Sequence, residues 1–178
     1  MAASNDSDKK LNMPNDLQRV LIMGNSGSGK SWLAARLSAF NKLPVTDLDT
    51  LNWQQGGYGR ARAKADVLND VLAIAESERW IIEGVYGWIA EKVAAYASHV
   101  IWLTPEPAEC VENITARGIR NSGSVEAFKA LLEWASLYEK RTGMSSYQGH
   151  LSVFSQVSHS RQIRLSSRND IDQFLTRL

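Results

Sequence analysis

A single cysteine, Cys110, stands in a chain of 178 residues. That excludes an intrachain disulfide and any cysteine-rich zinc site, and it fits a reducing compartment. Charge of one sign is not in excess. Twenty Lys and Arg face nineteen Asp and Glu, a formal charge of +1. A protein whose main work is neutralising nucleic-acid phosphates carries a basic surplus, so the balance argues against nucleic acid as the main partner. No run approaches the roughly 20 apolar residues that span a bilayer. The opening MAASNDSDKKLNMPND has no apolar h-region, so it does not read as a secretory signal. His99, His150 and His159 show no metal spacing. The chain therefore reads as cytoplasmic and free of membrane, with residues 1–16 a disordered tail and 17–178 one domain.

What is present is an alternation of two periodicities. RVLIMG (19–24) is a short apolar run ending in glycine, a buried strand. Leu33, Leu37 and Phe40 follow at helical spacing. Further strands are expected at 44–49, 80–86, 99–105 and 161–165, and helices at 63–77, 88–96, 106–117, 124–141 and from about Ser167 to the end. The Gly-rich WQQGGYGR (53–60) reads as a loop, and 142–160, rich in Ser, Gly, His and Gln, as loop with short ordered pieces at most. Strands alternating with helices imply an α/β fold of three layers around a parallel sheet.

Gly24-Asn25-Ser26-Gly27-Ser28-Gly29-Lys30-Ser31 matches G-x-x-x-x-G-K-[ST] in full, between an apolar strand and an amphipathic helix. Glycines let the backbone curl so that several N–H groups converge on one phosphate, and the next helix aims its positive end at the same anion. Lys30 then reaches the β- and γ-phosphates of ATP, and the Ser31 hydroxyl ligates Mg²⁺. Trp32 follows directly and borders the nucleotide. The Mg²⁺ shell also needs a carboxylate. Glu83, after Trp80-Ile81-Ile82, supplies one at a strand end, with a surface salt bridge as the plainer alternative. Asp47 and Asp49 close the second strand. In a parallel sheet such ends face one crevice, so either aspartate can anchor an acceptor, and Asp49 can take its proton. Turn formation is the competing account of both.

Phosphoryl transfer also wants cations about the migrating group. Arg117, Arg120 and Arg141 close expected helices and are candidates, each equally explained as a solvated helix end. Arg168 lies after the last strand, near the expected base site. Trp53, Tyr58, Arg60 and Tyr86 join Asp47, Asp49 and Glu83 as the candidate acceptor wall.

Together these segments resemble the small bacterial P-loop kinases related to adenylate kinase, the so-called topology-modulation proteins. The resemblance rests on VLIMGNSGSGKS, DLDTLNW (47–53), WIIEGVYG, HVIWLTP and LSSRNDIDQFL, and runs from Arg19 to Leu178. It implies a five-stranded parallel sheet of nucleoside-monophosphate-kinase type in order 2-3-1-4-5, with a helical, arginine-bearing lid over about 117–150. The family usually has Asp where Glu83 stands, and its lid is often richer in arginine than 117–141 is here. The expected function is an ATP- and Mg²⁺-dependent phosphotransferase acting on a small-molecule or nucleotide acceptor. The alternative is a nucleotide-dependent switch or slow NTPase working through a protein partner, which needs neither Asp49 nor a shaped acceptor loop. No N/T-K-x-D motif supports a GTPase. A monomer and a homodimer fit equally well.

Overall fold

A computed structural model describes residues 17–54, 59–120 and 123–178. The proposed tail, residues 1–16, and the candidate Tyr58 lie outside the described residues. Five parallel strands form one sheet: β1 (Arg19–Gly24), β2 (Val45–Asp47), β3 (Trp80–Gly84), β4 (His99–Leu103) and β5 (Gln162–Leu165). Their order is β2-β3-β1-β4-β5, as expected. The central strands are buried along nearly their whole length because both faces are covered.

Alternation along those strands sorts the side chains into two cores. Leu21, Met23, Trp80, Ile82, Val100 and Trp102 point to one face. There they meet α3 (Lys64–Ala75), α4 (Gly87–Val93) and α7 (Tyr147–Gln156) through Val67, Val71, Ile89, Val93 and Val153. Val20, Ile22, Ile81, Ile101 and Leu103 point to the other face. It is covered by α1 (Lys30–Asn41), through Leu33 and Leu37, and by α8 (Arg168–Thr176), through Phe174. Ser167 starts α8 with a reciprocal capping box to Asp170. The remaining helices are α2 (Leu48–Asn52), α5 (Pro107–Arg117) and α6 (Val125–Ser136), the last two packed on each other.

Three sequence expectations change. Asp49 does not close β2. The strand stops at Asp47, whose carboxylate caps α2 by accepting from the Asp49 amide at 2.8 Å, so Asp49 stands in the first turn of that helix. The helix expected over 124–141 stops at Ser136. The stretch 142–160 is not mainly loop. It holds α7, capped by Ser146, whose buried face runs Gly149, His150, Val153 and Phe154, followed by a 3-10 turn at His159–Arg161. A histidine on the buried stripe and a glycine beside it disguise the helical period.

Register brings the functional residues to one edge. Ile22 pairs with Glu83, and Asp47 pairs with Glu83 on its other side. The loop 24–29 leaves β1 at that edge and wraps onto α5. Gly27 has φ 76°, and a Cβ there would collide with the Cys110 carbonyl oxygen and come within 2.8 Å of Ile114. The Gly27 carbonyl accepts from Asn113 Nδ2 at 2.9 Å. Gly27→Ala should therefore lower stability by about 2 kcal/mol or more in thermal or urea unfolding, whereas Ala at Gly29, which meets nothing within 4 Å, should cost less.

Candidate active site

The phosphate-binding loop surrounds one buried cation. Lys30 is only 7% exposed, and its Nζ donates to the Asn25 carbonyl at 2.7 Å. Burial pushes this ammonium below its ordinary pKa, while the carboxylates of Glu83, Asp49 and Asp47 pull it back up. Asn25 is itself buried. Its Oδ1 accepts from the Ser26 amide at 2.9 Å, and its Nδ2 donates to the Ala135 carbonyl of α6 at 2.8 Å. The Ser28 hydroxyl is buried with no partner inside the protein. An orphaned buried hydroxyl costs free energy, and here it stands in a loop of inward-curling backbone beside the unpaired amides of the first turn of α1. That combination fits a polyphosphate.

Ser31 Oγ donates to Glu83 Oε1 at 2.6 Å. Glu83 is 2% exposed. Burial raises its pKa, while Lys30 and the Ser31 hydrogen bond lower it. Ser31 and Glu83, the two expected Mg²⁺ groups, are thus in contact. Among the described residues no group of three or more His, Cys, Asp or Glu could hold a metal alone.

A short relay reaches Asp49: Trp53 Nε1 donates to Tyr86 Oη at 3.1 Å, and Tyr86 Oη donates to Asp49 Oδ1 at 2.5 Å. The relay engages one carboxylate oxygen of Asp49. Asp47 has its pKa raised by burial and by the Asp49 charge, opposed by the Asp49 amide, Lys30 and Arg120. Arg120 is exposed just beyond α5. Arg60 is exposed on the loop that returns past Trp53, its carbonyl accepting from Gln54 N at 2.9 Å.

The other candidates fall in three places. Arg117 is exposed at the end of α5. Arg141 is engaged elsewhere: its guanidinium donates to the carbonyls of Trp134 and Ser145 and stacks on the Trp134 ring, 3.2 Å from its centroid. Trp32, 43% exposed, and Arg168 line a small crevice with Ser28, Gly29, Asn113, Ser167 and Ile171, on the expected base side of the loop.

The sequence reading missed a buried polar chain. Trp102 Nε1 donates to Tyr138 Oη at 3.0 Å, Tyr138 Oη lies 2.6 Å from His150 Nδ1, and His150 Nε2 lies 2.9 Å from the Val85 carbonyl. One assignment satisfies every group: Tyr138 donates to Nδ1 of a neutral imidazole whose Nε2–H donates to Val85. Burial drives the His150 pKa down to about 4. The helical spacing of Tyr147, His150, Leu151 and Phe154 is the signal that would have exposed it.

No protein-family model matches the chain, and neither does any curated protein sequence. Solved structures do match. A gluconokinase from Sinorhizobium meliloti 1021 superposes with a TM-score of 0.56 at 14% identity, over 90% of this chain and 89% of that one. A shikimate kinase from Acinetobacter baumannii in complex with shikimate gives 0.55 at 14%, over 90% of each chain. A shikimate kinase from Bacteroides thetaiotaomicron gives 0.54 at 15%, over 90% and 95%. The fold is that of the P-loop kinases. Among the described residues of this P-loop-kinase-like chain, no helix is long and apolar enough to cross a membrane.

His150 gives the fold a pH dependence. The unfolded chain protonates it near 6.5 while the folded protein holds it neutral to about 4. Its contribution is complete above pH 6.5 and is lost progressively as pH falls toward 4, by about 3 kcal/mol. Asp47 and Glu83, with raised pKa values, act with the opposite sign. The readout is therefore a difference: in urea unfolding from pH 7 to 4, wild type should lose more stability than His150→Gln.

Proposed function

We propose that this protein is an ATP- and Mg²⁺-dependent kinase of a small hydroxyl-bearing acceptor, of the kind found in the small bacterial P-loop kinases called topology-modulation proteins. The observation that carries the reading is the pairing of a complete phosphate cradle with an oriented carboxylate. Lys30, Ser31 and Glu83 stand on one side, and the Trp53–Tyr86–Asp49 relay on the other, with both aspartates coupled electrostatically to Lys30. A simple NTP-driven switch has no use for that relay.

The backbone amides of the loop, Ser28 Oγ and Lys30 Nζ would hold the triphosphate, and Trp32 and Arg168 would border the base. Ser31 and Glu83 would hold Mg²⁺, which when bound neutralises phosphate charge. Asp49 accepts the proton of the acceptor hydroxyl on the oxygen that Tyr86 does not occupy. The acceptor oxygen then bonds to the γ-phosphorus as the bond from that phosphorus to the bridging oxygen breaks, and ADP leaves. Asp47, Arg60 and Tyr58 would complete the acceptor wall. Arg120, and Arg117 from the end of α5, would meet the charge of the migrating group, while Arg141 would act by folding the 134–145 turn. Of segment 117–150, expected as the lid, the stretch before Ala135 would close over the site and exclude water, since Ala135, Tyr138 and His150 are buried in the core. The protein would work in the cytoplasm, as a monomer or homodimer, on ATP and its acceptor.

The test is ADP release from Mg·ATP with and without a panel of nucleosides, nucleotides, sugars and amino alcohols. One acceptor should raise turnover many-fold. Lys30→Ala should abolish the increase, and Asp49→Asn should cut kcat by about a hundredfold or more, the usual worth of a general base. Turnover that stays slow, ignores every acceptor and survives Asp49→Asn would favour the switch.

A further inference from the structure

We propose that His150 and Tyr138 are positioning residues for the Asp49 base, and that the segment from Ala135 to His150 braces the acceptor-side turn to the phosphate loop. The inference rests on the kinase reading above and adds to it a route between the two halves of the site.

Tyr86, which orients Asp49, stands on the turn joining β3 to α4. Segment 138–150 grips that turn at three points. His150 Nε2 donates to the Val85 carbonyl at 2.9 Å, which fixes the peptide plane leading into Tyr86. Ser145 Oγ accepts from the Gly87 amide at 3.2 Å, fixing the plane that leaves it. Gly87 also lies so close to the Met144 carbonyl that a Cβ would collide with it. Both peptides flanking Tyr86 are thus set by groups from one distant stretch of chain. Tyr86 contributes its own carbonyl to the first turn of α4, accepting from Ile89 and Ala90 at 3.0 and 2.9 Å.

The same stretch reaches the phosphate loop. Tyr138, hydrogen-bonded to His150, stands in the turn after α6 with its amide donating to the Ala135 carbonyl at 3.3 Å, and the same carbonyl takes the Asn25 side chain. Arg141 closes the intervening turn by donating to the carbonyls of Trp134 and Ser145. A further tie joins the Tyr147 amide to the Tyr138 carbonyl at 3.0 Å. Polar groups buried this completely in a core cost free energy unless each is satisfied. An apolar Phe and Leu would pack the same space more cheaply. The polar chain is therefore explained by what it holds at its end, the Val85 carbonyl beside Tyr86.

The experiment is hydrogen–deuterium exchange of the full-length protein, with and without the imido-bridged ATP analogue AMP-PNP in Mg²⁺. It compares wild type, Tyr138→Phe and His150→Gln. In wild type the analogue should slow exchange in the phosphate loop and, through the brace, by about fivefold in the 84–90 segment, the equivalent of one net hydrogen bond. In the variants the loop should remain protected with unchanged nucleotide affinity, and the slowing at 84–90 should be lost. A merely structural role would lower Tm in the variants and leave the transmitted slowing intact, which would overturn the proposal. Loop protection in wild type with no change at 84–90 would also overturn it. If the analogue fails to protect the loop at all, the kinase reading itself falls, and this inference with it. His150→Gln keeps the test decisive should Tyr138→Phe fail to fold.

Discussion

Everything at the carboxyl edge of the sheet is organised around one buried ammonium. Taking Lys30 out of water is costly unless the group is both hydrogen-bonded and paired. The chain meets that cost locally with the Asn25 carbonyl and at longer range with Glu83, Asp49 and Asp47. Strand register delivers Glu83 and Asp47 side by side, and the short helix α2 carries Asp49 round to face them. The acids that balance Lys30 are the same acids a phosphotransferase needs for its metal and its acceptor. On the proposed reading, structure and chemistry would therefore draw on one set of charges.

The loop is held from outside as well as from within. α5 presents Asn113 and the Cys110 backbone to Gly27, while α6 presents Ala135 to Asn25. Both contacts are to backbone or to a side-chain amide, and neither uses a group that a phosphate would claim. The loop is thus fixed in shape while the Ser28 hydroxyl is left without a protein partner. Preorganisation of this kind lets bound anion contribute affinity without first ordering the loop.

Much of this was legible in the residues. The glycine spacing of 24–31 specified the phosphate loop because only that backbone curls so tightly. Glu83 could be singled out as an acid closing an apolar strand, with a surface salt bridge as the plainer alternative; it is buried and accepts from Ser31 instead. Strand order came by resemblance, since periodicity gives elements but not their arrangement. Asp49 was found as a candidate but placed on the wrong element, because an Asp two residues earlier ends the strand by capping the next helix. The helix α7 and the buried face of His150 were legible only in the spacing of Tyr147, His150, Leu151 and Phe154, which the Ser, Gly and Gln around them obscure. A histidine is ordinarily a surface residue, and its burial here depends on partners 12 and 65 positions away in the chain. Arg141 illustrates the same limit: its position at a helix end says cation, and only the fold shows its hydrogen bonds turned inward to two carbonyls.

The central claim is that the buried Lys30 ammonium balances the acids around it and is also the group that would meet an incoming polyphosphate. Calorimetric titration of wild type and Lys30→Met with ATP in Mg²⁺, alongside their thermal unfolding, tests both. Lys30→Met should lose some thermal stability, because Glu83, Asp47 and Asp49 are left without the charge that balances them. It should bind ATP at least about tenfold more weakly, the worth of a lost charge-assisted hydrogen bond. An unchanged Kd, or a Lys30→Met protein no less stable than wild type, would contradict the claim.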